Sequence, residues 1–130
     1  MLGGPYTLHG EVEQGFGWGR KLGFPTANLR TEQWIPADGV YAAIARVGTC
    51  PVACAFSIGR RETLGDDLPL ALEAHLLDFD GDVYGHPISV CLHRFLRPQN
   101  RFGSHEDLIR QVRTDVAQVA TFFGGPHGHP

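Results

Sequence analysis

Glycine and proline cut this chain into short segments, and that punctuation constrains the fold more than any other feature. The 130 residues contain 17 Gly and 9 Pro, a combination that predicts many turns and short strands in place of long helices. Residues 7–14 alternate apolar and polar side chains loosely enough to predict a strand. Residues 40–47 are almost continuously apolar and predict a buried strand, which Gly48 and Thr49 turn. Residues 51–58 predict its antiparallel neighbour, with Pro51 at the first position, where a missing N–H does least harm. Residues 70–79 and 88–96 predict further strands joined by a loop of hairpin character. The expectation is five or six strands.

Only the last quarter changes period. Ser104 followed by Asp107 has the spacing of an N-cap with an acidic N3 partner, and Leu108, Ile109, Val112, Val116, Val119, Ala120 and Phe123 recur at helical intervals. A helix is predicted over about 104–123, stopped by Gly124, Gly125 and Pro126, with 124–130 as a frayed tail. No repeat or linker divides the chain, so residues 1–130 are expected to form one domain. Consecutive short strands with one closing helix predict a small antiparallel barrel, because closure removes exposed strand edges.

Charge and cysteine usage narrow the partners. With 11 Lys plus Arg against 14 Asp plus Glu, the formal charge is −3, so no general pull on nucleic acid or acidic lipid is expected. Any anion must be held locally. Cys50, Cys54 and Cys91 are odd in number, lack metal-ligand spacing and lie in apolar runs, which predicts free thiols in a reducing compartment. No basic segment followed by an apolar stretch opens the sequence, and no apolar run approaches the 18 or so residues of a membrane span. The expectation is a soluble, unexported, cytoplasmic protein with no nucleic-acid or membrane partner.

Two places can carry chemistry. The first is the loop over residues 15–23, where Gly15, Gly17, Gly19 and Gly23 free the backbone N–H groups to approach phosphate oxygens; a flexible hairpin is the bland alternative. It is not a Walker A loop, because no Gly-Lys-Ser/Thr ends it. Nor is it a dinucleotide fingerprint, because Pro25 and the turn residues after it forbid the helix that should follow. Arg20 and Lys21 add cations. Thr26 and Asn28 place a hydroxyl and an amide oxygen just beyond, a sparse set that suits magnesium, which fills its shell with water and substrate phosphates. Both are also ordinary turn residues. The second place is Glu73, a carboxylate in an otherwise apolar strand, on one face with His75 and Leu77. Either that face is half-exposed, or Glu73 accepts the proton of a hydroxyl that attacks a phosphoryl group.

The segment Gly19-Arg20-Lys21-Leu22-Gly23-Phe24-Pro25-Thr26-Ala27-Asn28-Leu29 resembles the signature of the riboflavin kinase family. Leu72-Glu73-Ala74-His75-Leu76-Leu77-Asp78-Phe79 with Asp82-Val83-Tyr84-Gly85 resembles the family's second block, and Leu96-Arg97-Pro98 through Phe102, Leu108 and Asp115 its third. In order and spacing these cover about residues 10–120. The resemblance implies a six-stranded antiparallel Greek-key barrel with a C-terminal helix, which transfers the terminal phosphate of ATP to the ribityl hydroxyl of riboflavin and yields FMN and ADP. It implies Thr26 and Asn28 at a magnesium ion and the phosphates, and Glu73 as general base. The loop with Gly15, Gly17, Gly19, Arg20, Lys21 and Gly23, followed by Pro25, would cover the nucleotide. Arg97, Phe102 and Asp115 match the flavin side, whereas the helix face bearing Leu108, Ile109 and Val112 reads as core packing.

Two departures from the family pattern stand out. Gly59-Arg60-Arg61-Glu62-Thr63-Leu64 replaces the usual Gly-x-Arg-Pro-Thr-Phe, and Gln99 stands where an acidic residue often follows Arg-Pro. Bacterial relatives commonly carry an adenylyltransferase module ahead of this domain. A chain of 130 residues has no room for one, so FAD synthesis is not expected; such a module is a partner if the chain is a fragment. The rival reading is a non-catalytic flavin- or nucleotide-binding barrel, and a plain interaction domain is the third.

Overall fold

Alternate residues of the strands point to opposite faces, and the two buried clusters separate an inner face from an outer one partly covered by the helix. The computed structural model describes residues 6–13, 26–60, 70–77, 87–99 and 103–124. Among them are the strands β1 (Tyr6–Glu13), β2 (Thr26–Arg30), β3 (Gly39–Val47), β4 (Cys50–Arg60), β5 (Leu70–Leu76) and β6 (Pro87–Arg97), and the helix α1 (His105–Phe122). The strands close into a barrel in the order β1-β2-β5-β4-β3-β6, and every neighbouring pair is antiparallel. The run β6-β3-β4-β5 is a Greek key, with three hairpin-connected strands and a fourth that returns beside the first. The six-stranded barrel with one C-terminal helix is therefore the observed architecture.

The inner face supplies the main core, built on Leu8, Phe56, Ile58, Leu72, Leu76 and Val90. Alternate residues of each strand point inward, so one register slip would turn this whole set to the outside. Gly10 marks the closest approach of β1 to β2: a Cβ there would run into the Arg30 carbonyl and the Leu29 methyl. Cys54 lies wholly inside, and burial pushes its thiol up to about 12, so it acts as a small apolar filler. Cys91 is half-buried, but Cys50 is exposed, because it begins β4 at the mouth of the β3–β4 hairpin.

A second, smaller core lies outside the barrel. Val40, Ala42 and Ala55 on the outer face meet Val119 of α1, with Val116, Leu96 and Phe123 packed around them. Alanines at these positions let the helix settle close to the sheet. Ser104 caps it by accepting a hydrogen bond from the Asp107 N–H at 3.2 Å, satisfying one of the first-turn donors. Gly124, with φ of 109°, takes the conformation that ends it.

The structure corrects the turn reading of residues 26–29. Thr26–Arg30 is a strand, paired with β1 on one side and β5 on the other. Ladder bonds on both edges outweigh the turn preference of Thr and Asn, which is a weak local bias. β4 also runs to Arg60, two residues beyond expectation. β5 ends at Leu76, although the Leu77 N–H still donates to the Ala53 carbonyl at 2.9 Å. The loop over 80–86 and the tail over 125–130 lie outside the described residues.

Among the described residues Phe56 is the largest side chain sealed completely in the core. Phe56→Ala is expected to cost about 3–5 kcal/mol, read as a lower urea midpoint with an unchanged m-value.

Candidate active site

The registers across the sheet bring the polar outer-face residues into rows. Asn28 on β2 stands directly opposite Glu73 on β5, and Glu73 stands directly opposite Ser57 on β4. The same row continues through Val40 on β3 to Arg97 on β6, and by backbone register it begins at Glu13 on β1. The next row sets Thr26 opposite His75, and His75 opposite Ala55. Side chains directly opposed in an antiparallel pair share a face with Cβ atoms roughly 4.5–5.5 Å apart. Two residues separated by 45 positions, Asn28 and Glu73, thereby face one small area. Both are half-buried.

His75, on the outer face of β5, is only 6% exposed. Desolvation lowers its pKa to about 4, while the nearby Asp115 charge pulls it up. Asp115 is 1% exposed, and its oxygens are engaged by Arg97 in a bidentate pair, Nε to Oδ1 at 2.8 Å and Nη2 to Oδ2 at 2.7 Å. Gln111 Nε2 adds a third hydrogen bond to Oδ1 at 3.1 Å. Arg97 Nη1 donates in turn to the Pro98 carbonyl at 3.0 Å. This network fastens α1 to the end of β6, so the described part of the flavin-side set, Arg97 and Asp115, is a single bonded unit. Planar guanidinium against carboxylate is the geometry in which a buried ion pair recovers most of its desolvation cost.

Gln99 follows directly. Its Nε2 donates to Ser57 Oγ at 2.7 Å and to the Ile58 carbonyl at 3.0 Å, with the Gly39 carbonyl at 3.5 Å. The chain after β6 is thereby tied to the row that holds Glu73. Neither Ser57 nor this role of Gln99 is visible in sequence motifs. The available signal is Ser57 itself, a lone polar residue between Phe56 and Ile58.

The remaining site residues expected from the sequence, Gly15, Gly17, Gly19, Arg20, Lys21, Gly23, Pro25 and Phe102, lie outside the described residues, as does the Thr26 side chain. Of the segment that departs from the family pattern, Gly59 and Arg60 belong to β4 and residues 61–64 lie outside. Among the described residues no group of three or more His, Cys, Asp or Glu could hold a metal ion. The donor available at the Asn28–Glu73 pair is a neutral amide oxygen beside a carboxylate. That chemistry fits a hard cation delivered with substrate phosphates and keeping much of its water.

A riboflavin kinase family profile matches residues 2–123. The chain belongs to the riboflavin kinase family. It is 39% identical over 125 residues to a bifunctional riboflavin kinase/FMN adenylyltransferase of Listeria monocytogenes, an alignment covering 95% of this chain and 40% of that protein. The chain thus spans about 40% of the length of the curated relatives it matches first. A crystal structure from Streptococcus pneumoniae, described as a macrolide-efflux protein, superposes with a TM-score of 0.76 at 31% identity, covering 85% of this chain and 37% of that one. The riboflavin kinase of Trypanosoma brucei superposes with a TM-score of 0.64 at 24% identity, over 96% of this chain and 83% of that one. The latter likeness shows the shared barrel fold. No helix among the described residues is long and apolar enough to cross a membrane.

Two stability outcomes follow from the buried network. Because the unfolded imidazole titrates at 6.5 and the folded one at about 4, the unfolded chain binds more protons between those values. Stability therefore falls as pH drops through that window, by at most about 1.4 kcal/mol per pH unit from this group. Chemical unfolding of His75→Gln is expected to lack that segment of the pH dependence. Asp115→Ala leaves Arg97 without its carboxylate and is expected to destabilise by about 3–5 kcal/mol, measured by the same unfolding assay at pH 7.

Proposed function

We propose that this chain is an ATP-dependent riboflavin kinase, transferring the γ-phosphoryl group of ATP to the ribityl 5′-hydroxyl of riboflavin to give FMN and ADP. The observation that carries the reading is the placement of Asn28 opposite Glu73 in a chain of this family. A carboxylate and an oxygen donor on adjacent strands suit a hydroxyl nucleophile approaching a phosphate.

In this reading Glu73 takes the proton of the ribityl hydroxyl as its oxygen forms the new P–O bond. The bond from the γ-phosphorus to the bridging oxygen breaks, and ADP leaves. Such transfer depends mainly on alignment and charge neutralisation, with little covalent chemistry left to the protein. Thr26 and Asn28 would hold magnesium, whose chemistry is to neutralise phosphate charge. The residues 15–23 loop would lie over the nucleotide, with Arg20 and Lys21 beside its phosphates. Phe102 and the Arg97–Asp115 unit would bound the flavin side. The acceptance of riboflavin and ATP, the preference for magnesium and a cytoplasmic location all belong to this proposal. An adenylyltransferase module, as named in the bifunctional relatives, would be a covalent neighbour if the chain is one part of a longer protein.

The test is a chromatographic assay of FMN formed from riboflavin, ATP and magnesium. Active protein separates a kinase from a barrel that only binds flavin or nucleotide. Glu73→Gln is expected to lower kcat by about 10²–10⁴-fold with ADP binding retained by calorimetry. Unchanged turnover in that variant removes Glu73 from the mechanism.

A further inference from the structure

The ladder between β1 and β2 stops at Arg30, yet the chain goes on bonding to β1. Extending the register that sets Glu11 opposite Arg30 would set His9 opposite Glu32 and Thr7 opposite Trp34, backbone to backbone. Side chains take those places instead. The Gln33 carboxamide bridges the edge of β1: its Oε1 accepts from the His9 N–H at 2.5 Å and its Nε2 donates to the Thr7 carbonyl at 3.1 Å. Thr31 Oγ1 donates to the His9 carbonyl at 2.6 Å. Strand alternation supplies the reason. Ala27 and Leu29 belong to the barrel core, so a continued strand would send Thr31 and Gln33 inward as well, where a hydroxyl and a carboxamide lack partners. Turned to the edge of β1, the same two side chains are satisfied.

Two tyrosine hydroxyls hold the rest of the segment. Tyr6 Oη donates to the Trp34 carbonyl at 2.9 Å, and Tyr41 Oη donates to the Ala37 carbonyl at 2.6 Å. No backbone-to-backbone hydrogen bond outside the regular elements joins residues 31–37 to another described residue. Ile35 packs against the main core while only partly buried, and Glu32, Trp34 and Ala37 are exposed. We propose that residues 31–37 form a strap that opens and recloses as one unit while the barrel stays folded, with the Gln33 carboxamide as its clasp. Segments with few buried apolar contacts and solvent-exposed hydrogen bonds are the ones that open at low cost. β1 does not need the strap to keep its place, because its other edge is paired with β6 from Tyr6 to Glu11. Opening bares the His9 N–H and the Thr7 and His9 carbonyls, an edge on which an extended chain can pair.

β1 carries its own control for the test. Successive N–H groups of an antiparallel strand point to opposite edges, so the His9 N–H faces the strap and the Leu8 N–H faces β6, opposite Val90. Native-state hydrogen exchange of the full chain is followed by NMR over a series of low urea concentrations. His9 is expected to be protected about a hundredfold less than Leu8, with little dependence on urea, because a short opening exposes little surface. Gln33→Ala is expected to speed His9 exchange about tenfold. Tyr41→Phe removes the anchor at Ala37 and leaves every bond between the strap and β1 in place; it is expected to speed His9 exchange about threefold to tenfold, with the shallow urea dependence kept. A urea dependence at His9 as steep as at Leu8 overturns the proposal, since the segment then parts from β1 only when the barrel unfolds. A His9 rate untouched by Tyr41→Phe also overturns it, since the two ends of the segment then open separately. The wild-type comparison needs no variant and stays decisive should Gln33→Ala fail to fold.

Discussion

The pairing of β5 between β2 and β4 is the constraint on which the rest of this structure depends. β5 closes the barrel on the β2 side, where only three residue pairs link it to β2, and it carries both Glu73 and His75 on its outer face. A slip of one residue in that pairing would exchange Glu73 and His75 with Leu72, Ala74 and Leu76, placing charge in the core and apolar surface outside. Hydrophobic burial on the inner face therefore enforces the position of the functional groups on the outer one. The core sets the register of the candidate site without contributing a side chain to it.

The helix completes the outer face in a different way. Its apolar residues cover Val40, Ala42 and Ala55, which accounts for its docking but leaves its position along the sheet loosely specified. The bidentate contact between Arg97 and Asp115 supplies directionality, because a planar fork bonds well in one orientation. His75, buried on the outer face of β5, lies near enough to that pair for the Asp115 charge to act on it. The polar groups that order the helix are thus continuous with the row that includes Glu73, and Gln99 extends the same order across β4.

Much of this architecture was legible along the chain. The Ser104 cap, the helical spacing from Leu108 to Phe123 and the apolar runs of β3, β4 and β6 depend on neighbours close in sequence, and local chemistry reports them faithfully. Residues 26–30 were not legible as a strand, because Thr and Asn favour turns locally and only pairing with two distant strands overrides that bias. Glu73 stood out as a charge among apolar residues. Ser57 did not, since a serine in a strand is unremarkable until the residue opposite it is known. Arg97 and Asp115 carried a family resemblance, yet their bond to each other has no trace in spacing.

What the sequence determined by itself is the set of parts: strand and helix types, the inward and outward alternation, and the family that the motifs resemble. These follow from covalent geometry and from interactions a few residues apart. Tertiary structure alone decided which parts meet. That Asn28 faces Glu73, that Glu73 faces Ser57, and that His75 stands opposite Ala55 are consequences of barrel closure, because strand register is set by summed burial over the whole inner face and not by any residue's immediate neighbours.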